Sequence, residues 1–169
     1  MVTKTDFSAD EWEKLRDAPH LVVLAVAAAG ASGFFGSIKE AMAPAGSLVE
    51  ALQGENQLLR QICEREEIKA SIESLKDMAK SSGDFESIQA AFRKAAIDKS
   101  KAGLDLLKRK GAPEDVAAFR SFLLKLGENV ANAAKEGAFL GFGGERVSAE
   151  ERALLAELAQ ALDYQQIYL

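Results

Sequence analysis

Between Leu21 and Gly36 the chain reads LVVLAVAAAGASGFFG, and this run of 16 residues constrains the fold more than any other stretch. It falls short of the roughly 20 apolar residues a helix needs to cross a bilayer. Its first part, with the preceding histidine, is HLVVLAVAAA, which is apolar around most of the circumference of a helix. A helix of that kind is buried on nearly all sides. Its small side chains let neighbouring backbones come close. Gly30 suits the end of that helix, since glycine readily takes up the left-handed conformation common after a last turn.

The remaining sequence supplies helices to surround it. Ser8 and Glu11 have the spacing of a capping box, with Phe7 and Trp12 placed as a hydrophobic staple. Pro19 suits a first helical position, where its missing N–H is no loss, and so predicts a second helix from there. Ser37 with Glu40 and Ser47 with Glu50 are further capping boxes, the second opening SLVEALQ before Gly54. Apolar residues then recur at spacings of three and four in two long segments. One runs from Asn56 to about Lys80, through Leu59, Ile62, Ile72 and Leu75. The other runs from Asp84 to about Lys110, through Phe92, Leu104 and Leu107. Pro113, Glu114 and Asp115 suit the start of another helix, with a seam at Val116, Phe119, Leu123, Leu126 and Val130. Ser148 and Glu151 form a fourth box ahead of a last amphipathic helix. Nothing alternates with the two-residue period of a strand. The expected fold is all-α, with about seven or eight helices in one domain over residues 1–169.

The totals narrow the function classes. The 169 residues suit one sizeable core, and 48% hydrophobic with 28% charged residues suits a folded chain rather than a disordered one. The formal net charge of −5 disfavours a general nucleic-acid binder. The single cysteine, Cys63, excludes an internal disulfide and a cysteine-based zinc cluster. It lies in QICEREE, where neighbouring acids disfavour a reactive thiolate, and reads as a packed thiol. The start carries no apolar core behind a basic end, so a cytoplasmic protein is expected. No span of a membrane is expected.

Two segments resemble each other. VAAAGASGFFGSIKE, from Val26, and VANAAKEGAFLGFGGERVSAEE, from Val130, each join a small-residue helix end, a Gly-Phe loop and a serine capping box. Gly33, Phe34, Phe35 and Gly36 answer to Gly141, Phe142, Gly143 and Gly144. Ser37 and Glu40 answer to Ser148 and Glu151, each 111 positions on. The pattern reads as a duplicated helix–loop–helix, roughly residues 8–54 and 113–164, around two longer central helices. Glycine at these loops permits positive φ and close backbone approach. The phenylalanines then either turn inward as loop anchors or, with Phe139 and Leu140, form an exposed apolar patch for a partner.

The second segment resembles the tellurite-resistance TerB-like domain. That family's pattern is a small-residue helix, an Asp-Gly loop, then a Ser or Pro cap and a Glu opening the next helix. Glu136-Gly137 stands here for Asp-Gly, with Ser148 and Glu151 at the cap; the first copy offers Ser32-Gly33, Ser37 and Glu40. The resemblance implies an all-helical, pseudo-symmetric domain that binds a divalent metal through loop acids. The candidates it marks are Glu136, Glu145 and Glu151, with Ser32 and Glu40 in the first copy. Neither loop contains an aspartate, and capping alone accounts for Glu40 and Glu151.

No catalytic set is legible. There is one histidine, His20, at the start of an expected helix and read as structural or exposed. No Glu-x-x-His pair supports a di-iron bundle, and GASGFFG lacks the Gly-Lys-Ser/Thr ending of a phosphate-binding loop. GFGGER offers backbone N–H groups to an anion only in the way any glycine loop before a helix does. The locally basic stretch from Arg93 to Lys110 reads as a solvated helix face balanced by acids elsewhere. The expected function is a non-enzymatic interaction or scaffold domain without a cofactor, using the Gly-Phe loops for packing, self-association or docking of a protein partner. The alternative is a metal- or small-ligand-binding stress protein of the TerB-like kind.

Overall fold

The structure, a computed structural model, describes residues 1–30, 46–111, 113–136 and 147–164. Among the described residues there are seven α-helices, one 3₁₀ turn at Lys4–Asp6 and no β-strand. The helices are α1 (Ala9–Gly30), α2 (Gly46–Gln53), α3 (Gln57–Ile62), α4 (Arg65–Ser82), α5 (Phe85–Lys110), α6 (Pro113–Glu136) and α7 (Ala149–Ala161).

The apolar run lies where its composition demands. Residues from Leu21 to Val26 are at most 3% exposed, and α1 packs against α4, α5, α6 and α7. Its start is as expected. The Ser8 hydroxyl accepts from the Glu11 N–H at 3.2 Å, and the Ser8 N–H donates to Glu11 Oε2 at 3.0 Å. The Phe7 and Trp12 rings meet with centroids 6.1 Å apart.

Pro19 does not start a second helix, in contrast to the expectation from sequence. It lies inside α1, which is continuous from Ala9 to Gly30. Proline in a helix interior costs about 3 kcal/mol, because it removes the bond to the carbonyl four residues back. Here both sides of it are buried, from Leu15 to Val26 apart from half-buried Arg16. Covering that surface outweighs the lost hydrogen bond.

A second correction concerns the segment from Asn56 to Lys80, which forms two helices rather than one. Asn56 caps α3, its side chain accepting from the Leu59 N–H at 3.0 Å. Cys63 then ends α3, and Glu64 turns the chain with extended backbone before α4 begins. The bend lets Ile62 and Cys63 enter the core, both 0% exposed, while α4 runs beside α1. Glu67 anchors it there, accepting from Trp12 Nε1 at 2.9 Å and pairing with Lys4. Leu59 and Ile62 of α3 and Ile68, Ile72 and Leu75 of α4 keep spacings of three and four, but at about 100° per residue they lie on nearly opposite sides of one continuous helix, so the spacing hides the break and the phase marks it.

The other boundaries follow the sequence. Asp84 caps α5, accepting from the Ser87 N–H at 2.8 Å, and Gly111 ends it in the left-handed conformation at φ 95°. Pro113 is the first residue of α6. Four of its five expected seam residues, Phe119, Leu123, Leu126 and Val130, are buried, and Val116 packs against the core from its edge. Ser148 and Glu151 form the expected capping box of α7, at 3.1 and 2.7 Å. Helix α2 begins at Gly46, one residue before the expected cap at Ser47. The box at Ser37 and Glu40 lies outside the described residues.

The central pair is α1 with α5, which run antiparallel. Lys99 meets Asp17 at 2.8 Å near the middle of both helices, and Gln89 donates to the Ala28 carbonyl at 2.7 Å toward the end of α1 and the start of α5. Gly103 allows the close approach. A Cβ there would lie 3.0 Å from Phe119 and 3.2 Å from Leu15.

Candidate functional site

A concavity lies between α6 and α7. The two helices run antiparallel: Arg120 Nε donates to the Leu162 carbonyl at 2.7 Å, and Gly127 faces Leu155 and Leu158 further along. Each helix turns one stripe to the core, Phe119–Leu123–Leu126 on α6 and Leu154–Leu158 on α7. A second stripe on each, at the same spacing, faces a groove of about 530 Å³. Helix α6 contributes Ala117, Arg120, Ser121, Leu124, Lys125 and Glu128. Helix α7 contributes Arg152, Leu155, Ala156 and Ala159, and Tyr164 closes one end, 46% exposed.

The groove has an apolar floor and charged ends. Leu124 and Leu155 are half-buried, and the alanines and Ser121 keep the floor shallow. Arg152 is held by a hydrogen bond to the Val147 carbonyl, just ahead of α7. Arg120 is held at Leu162, just beyond α7. Among the described residues each guanidinium donates to one carbonyl, which leaves part of its planar fork for an oxygen ligand, and Asp163 lies within electrostatic reach of Arg120. Lys125 is paired with Glu50 at 2.6 Å, and among the described residues Glu128 is the one acid lining the walls.

Most residues singled out from sequence fall elsewhere. Gly33, Phe34, Phe35, Gly36, Phe139, Leu140, Gly141, Phe142, Gly143, Gly144 and Glu145 lie outside the described residues, as do Ser32 and Glu40. Glu136 is the last residue of α6, and its side chain is likewise outside them. Glu151 is described. Its Oε2 accepts from the Ser148 N–H, while its Oε1 is buried with no hydrogen-bond partner among the described residues. That oxygen abuts Gly30, where a Cβ would overlap it. Capping thus accounts for one carboxylate oxygen and not the other. Among the described residues no three His, Cys, Asp or Glu side chains come together as a metal site would require.

Four cations of the basic stretch of α5 pair with acids across the fold. Arg93 pairs with Glu157 at 2.7 Å, Lys99 with Asp17 and Glu13, Lys108 with Asp163, and Lys110 with Glu11 at 3.0 Å. Cys63 is a packed thiol as expected, though for another reason. Burial, rather than neighbouring acids, pushes its pKa up to about 12. His20 is fully buried. A carbonyl only accepts, so the contact of His20 Nδ1 with the Arg16 carbonyl at 3.2 Å puts the proton on Nδ1. Nε2 then carries no proton and has no partner among the described residues. Burial pushes this imidazole down to about 4, opposed only in part by the Arg16 carbonyl and Asp17.

Sequence reasoning missed the groove. Its one signal was Leu124 and Leu155, apolar residues off the buried stripes of two amphipathic helices. Among the described residues no helix is long and apolar enough to cross a membrane. Comparison with family models, with curated proteins and with solved structures gives no match.

Proposed function

We propose that this chain is a non-enzymatic helical interaction module. The α6–α7 groove carries that reading. It is a solvent-open surface with an apolar floor and two oriented guanidiniums, the composition of a docking site rather than of a reaction centre. The burial of the sole histidine and sole cysteine supports the same reading, since neither presents a base or a nucleophile to a substrate. A photo-crosslinking side chain at exposed Ser121, in the groove, tests it against one at exposed Glu73 on α4. Discrete adducts in the native host from position 121 alone are expected. Equal labelling from both positions counts against docking at the groove. The Gly-Phe segments belong to the same proposal as a second element of association. Light scattering of the Phe34→Ser/Phe142→Ser variant tests them, and an unchanged mass removes them from it.

One observation favours a second reading. The partnerless Oε1 of Glu151 is the kind of oxygen a cation would satisfy, and the TerB-like resemblance of this segment implies a divalent metal. Binding to the folded state raises the melting temperature by mass action. Thermal unfolding with Mg²⁺, Ca²⁺, Mn²⁺ or Zn²⁺, against EDTA, decides it. An upward shift that Glu151→Gln abolishes supports the metal; no shift with any of the four rules it out.

A further inference from the structure

We infer that the α6–α7 groove takes an acidic amphipathic helix of a partner protein, one with an apolar middle and carboxylates toward both ends. The inference rests on the groove being a docking surface and adds the chemistry of its occupant.

Backbone accounting comes first. Both walls of the groove are helices, whose N–H and C=O groups are spent on their own hydrogen bonds along most of their length. An extended peptide laid between them would find few backbone partners there, and its desolvated amides would count against binding. A helix satisfies its own amides, so it presents only side chains to such a surface.

Shape and spacing agree. The floor is built on helical spacing, Ala117–Ser121–Leu124 on one wall and Leu155–Ala156–Ala159 on the other. Small residues there let a third helix settle on the two, its apolar stripe meeting Leu124 and Leu155. Helix α7 has 13 residues and is therefore about 20 Å long. Arg152 is fixed at its beginning and Arg120 beyond its end, so the cationic groups sit at the groove's two ends with apolar surface between.

Charge decides the sign of the partner. Among the described residues the walls hold Arg120, Lys125 and Arg152 against Glu128, and Asp163, near enough to Arg120 to feel its charge, is already paired with Lys108. Lys125 is already paired with Glu50, whereas each arginine has donated one N–H to a carbonyl and retains donors for a bidentate carboxylate. A second copy docking through the same groove would set these arginines against their own equivalents, which disfavours a symmetric dimer here. The whole chain has a net charge of −5, so long-range steering works against an acidic partner and the attraction is local to the groove.

The test uses the full chain and three fluorescent peptides of roughly 15 residues, a length that matches α7. All share one leucine stripe; both ends carry glutamate, glutamine or lysine. The acidic peptide is expected to bind about tenfold or more tighter than the lysine peptide, with glutamine between. Arg120→Glu/Arg152→Glu should invert that order. Ser121→Gln/Ala156→Gln, two exposed positions that fill the floor without changing charge, should weaken all three. Circular dichroism confirms that each variant is folded. Equal binding of acidic and basic peptides, weakened by the filling variant, overturns the acidic partner and leaves the docking surface standing. Binding that the filling variant leaves untouched, or no binding at all, overturns both. An acidic preference that survives the charge reversal places the site elsewhere and also overturns the inference.

Discussion

His20 shows how a single residue links the core to pH. Its ring is enclosed between helices with one nitrogen satisfied and the other bare, so protonation would put an uncompensated charge in the interior. The folded pKa of about 4 lies below the ordinary value of 6.5. Between those values the unfolded chain binds more protons, so stability is fully present above pH 6.5 and falls as the pH drops toward 4. The difference of about 2.5 units sets an upper limit of about 3 kcal/mol on the loss. Urea unfolding of the wild type should therefore weaken steadily from pH 6.5 to 4.5, whereas His20→Gln should show a flatter profile whatever its absolute stability. A wild-type profile as flat as the variant's would contradict a buried neutral imidazole. The carboxylates with depressed pKa, Glu67 among them, act in a lower window, beginning as the pH falls through about 4.5. At Glu67 burial pushes the pKa up, but the hydrogen bonds from Lys4 and Trp12 outweigh it and hold it low.

At the scale of the element, capping and close packing make different demands. The Ser148 hydroxyl satisfies the Glu151 N–H at the start of α7. Ser148→Ala should cost about 1 kcal/mol, read as a shift in urea midpoint without a change in slope. Glu151→Gln should cost less, because it keeps an acceptor for the Ser148 N–H. Gly103 is a packing demand. Gly→Ala in an open helix is stabilising by up to about 1 kcal/mol. Here a methyl would press on Phe119 and Leu15, so Gly103→Ala should destabilise by about 1–3 kcal/mol instead. A stabilised variant would mean that α1 and α5 have room to separate.

For the whole molecule, one buried carboxylate joins three distant parts of the chain. Asp115, 0% exposed at the start of α6, accepts from the Val2 N–H at 2.7 Å and from Asn56 Nδ2 at 2.8 Å. Asn56 is itself the cap of α3. Asp115→Ala leaves those donors unpaired and should cost about 1.5–3 kcal/mol for each bond to the charged group, with Asp115→Asn falling between it and wild type. Chemical denaturation of the two variants checks the order. Exposed pairs such as Lys69–Glu66 and Lys76–Glu73 lie within one helix and are worth little.

Much of this fold was legible without the structure, because its strongest signals are local. The apolar circumference of Leu21–Val26 required burial on all sides, and that is where α1 lies. Ser8, Asp84, Pro113 and Ser148 marked helix starts through hydrogen bonds or dihedral limits reaching three or four residues, so the sequence alone determined them. Pro19 and the continuity of the segment from Asn56 to Lys80 were misjudged, because a helix start or break depends on what surrounds it. The burial of α1 outweighs a lost helical bond at Pro19, and the turn of α4 toward Trp12 breaks the segment after Cys63, where the apolar phase changes although the spacing of three and four does not. The groove belongs to the same class. Arg120 and Arg152 are 32 positions apart, and only the antiparallel contact of α6 with α7 brings them to the two ends of one surface. Local physics writes caps and periods into the chain; which exposed stripes come to face each other is a property of packing, and only the tertiary structure decides it.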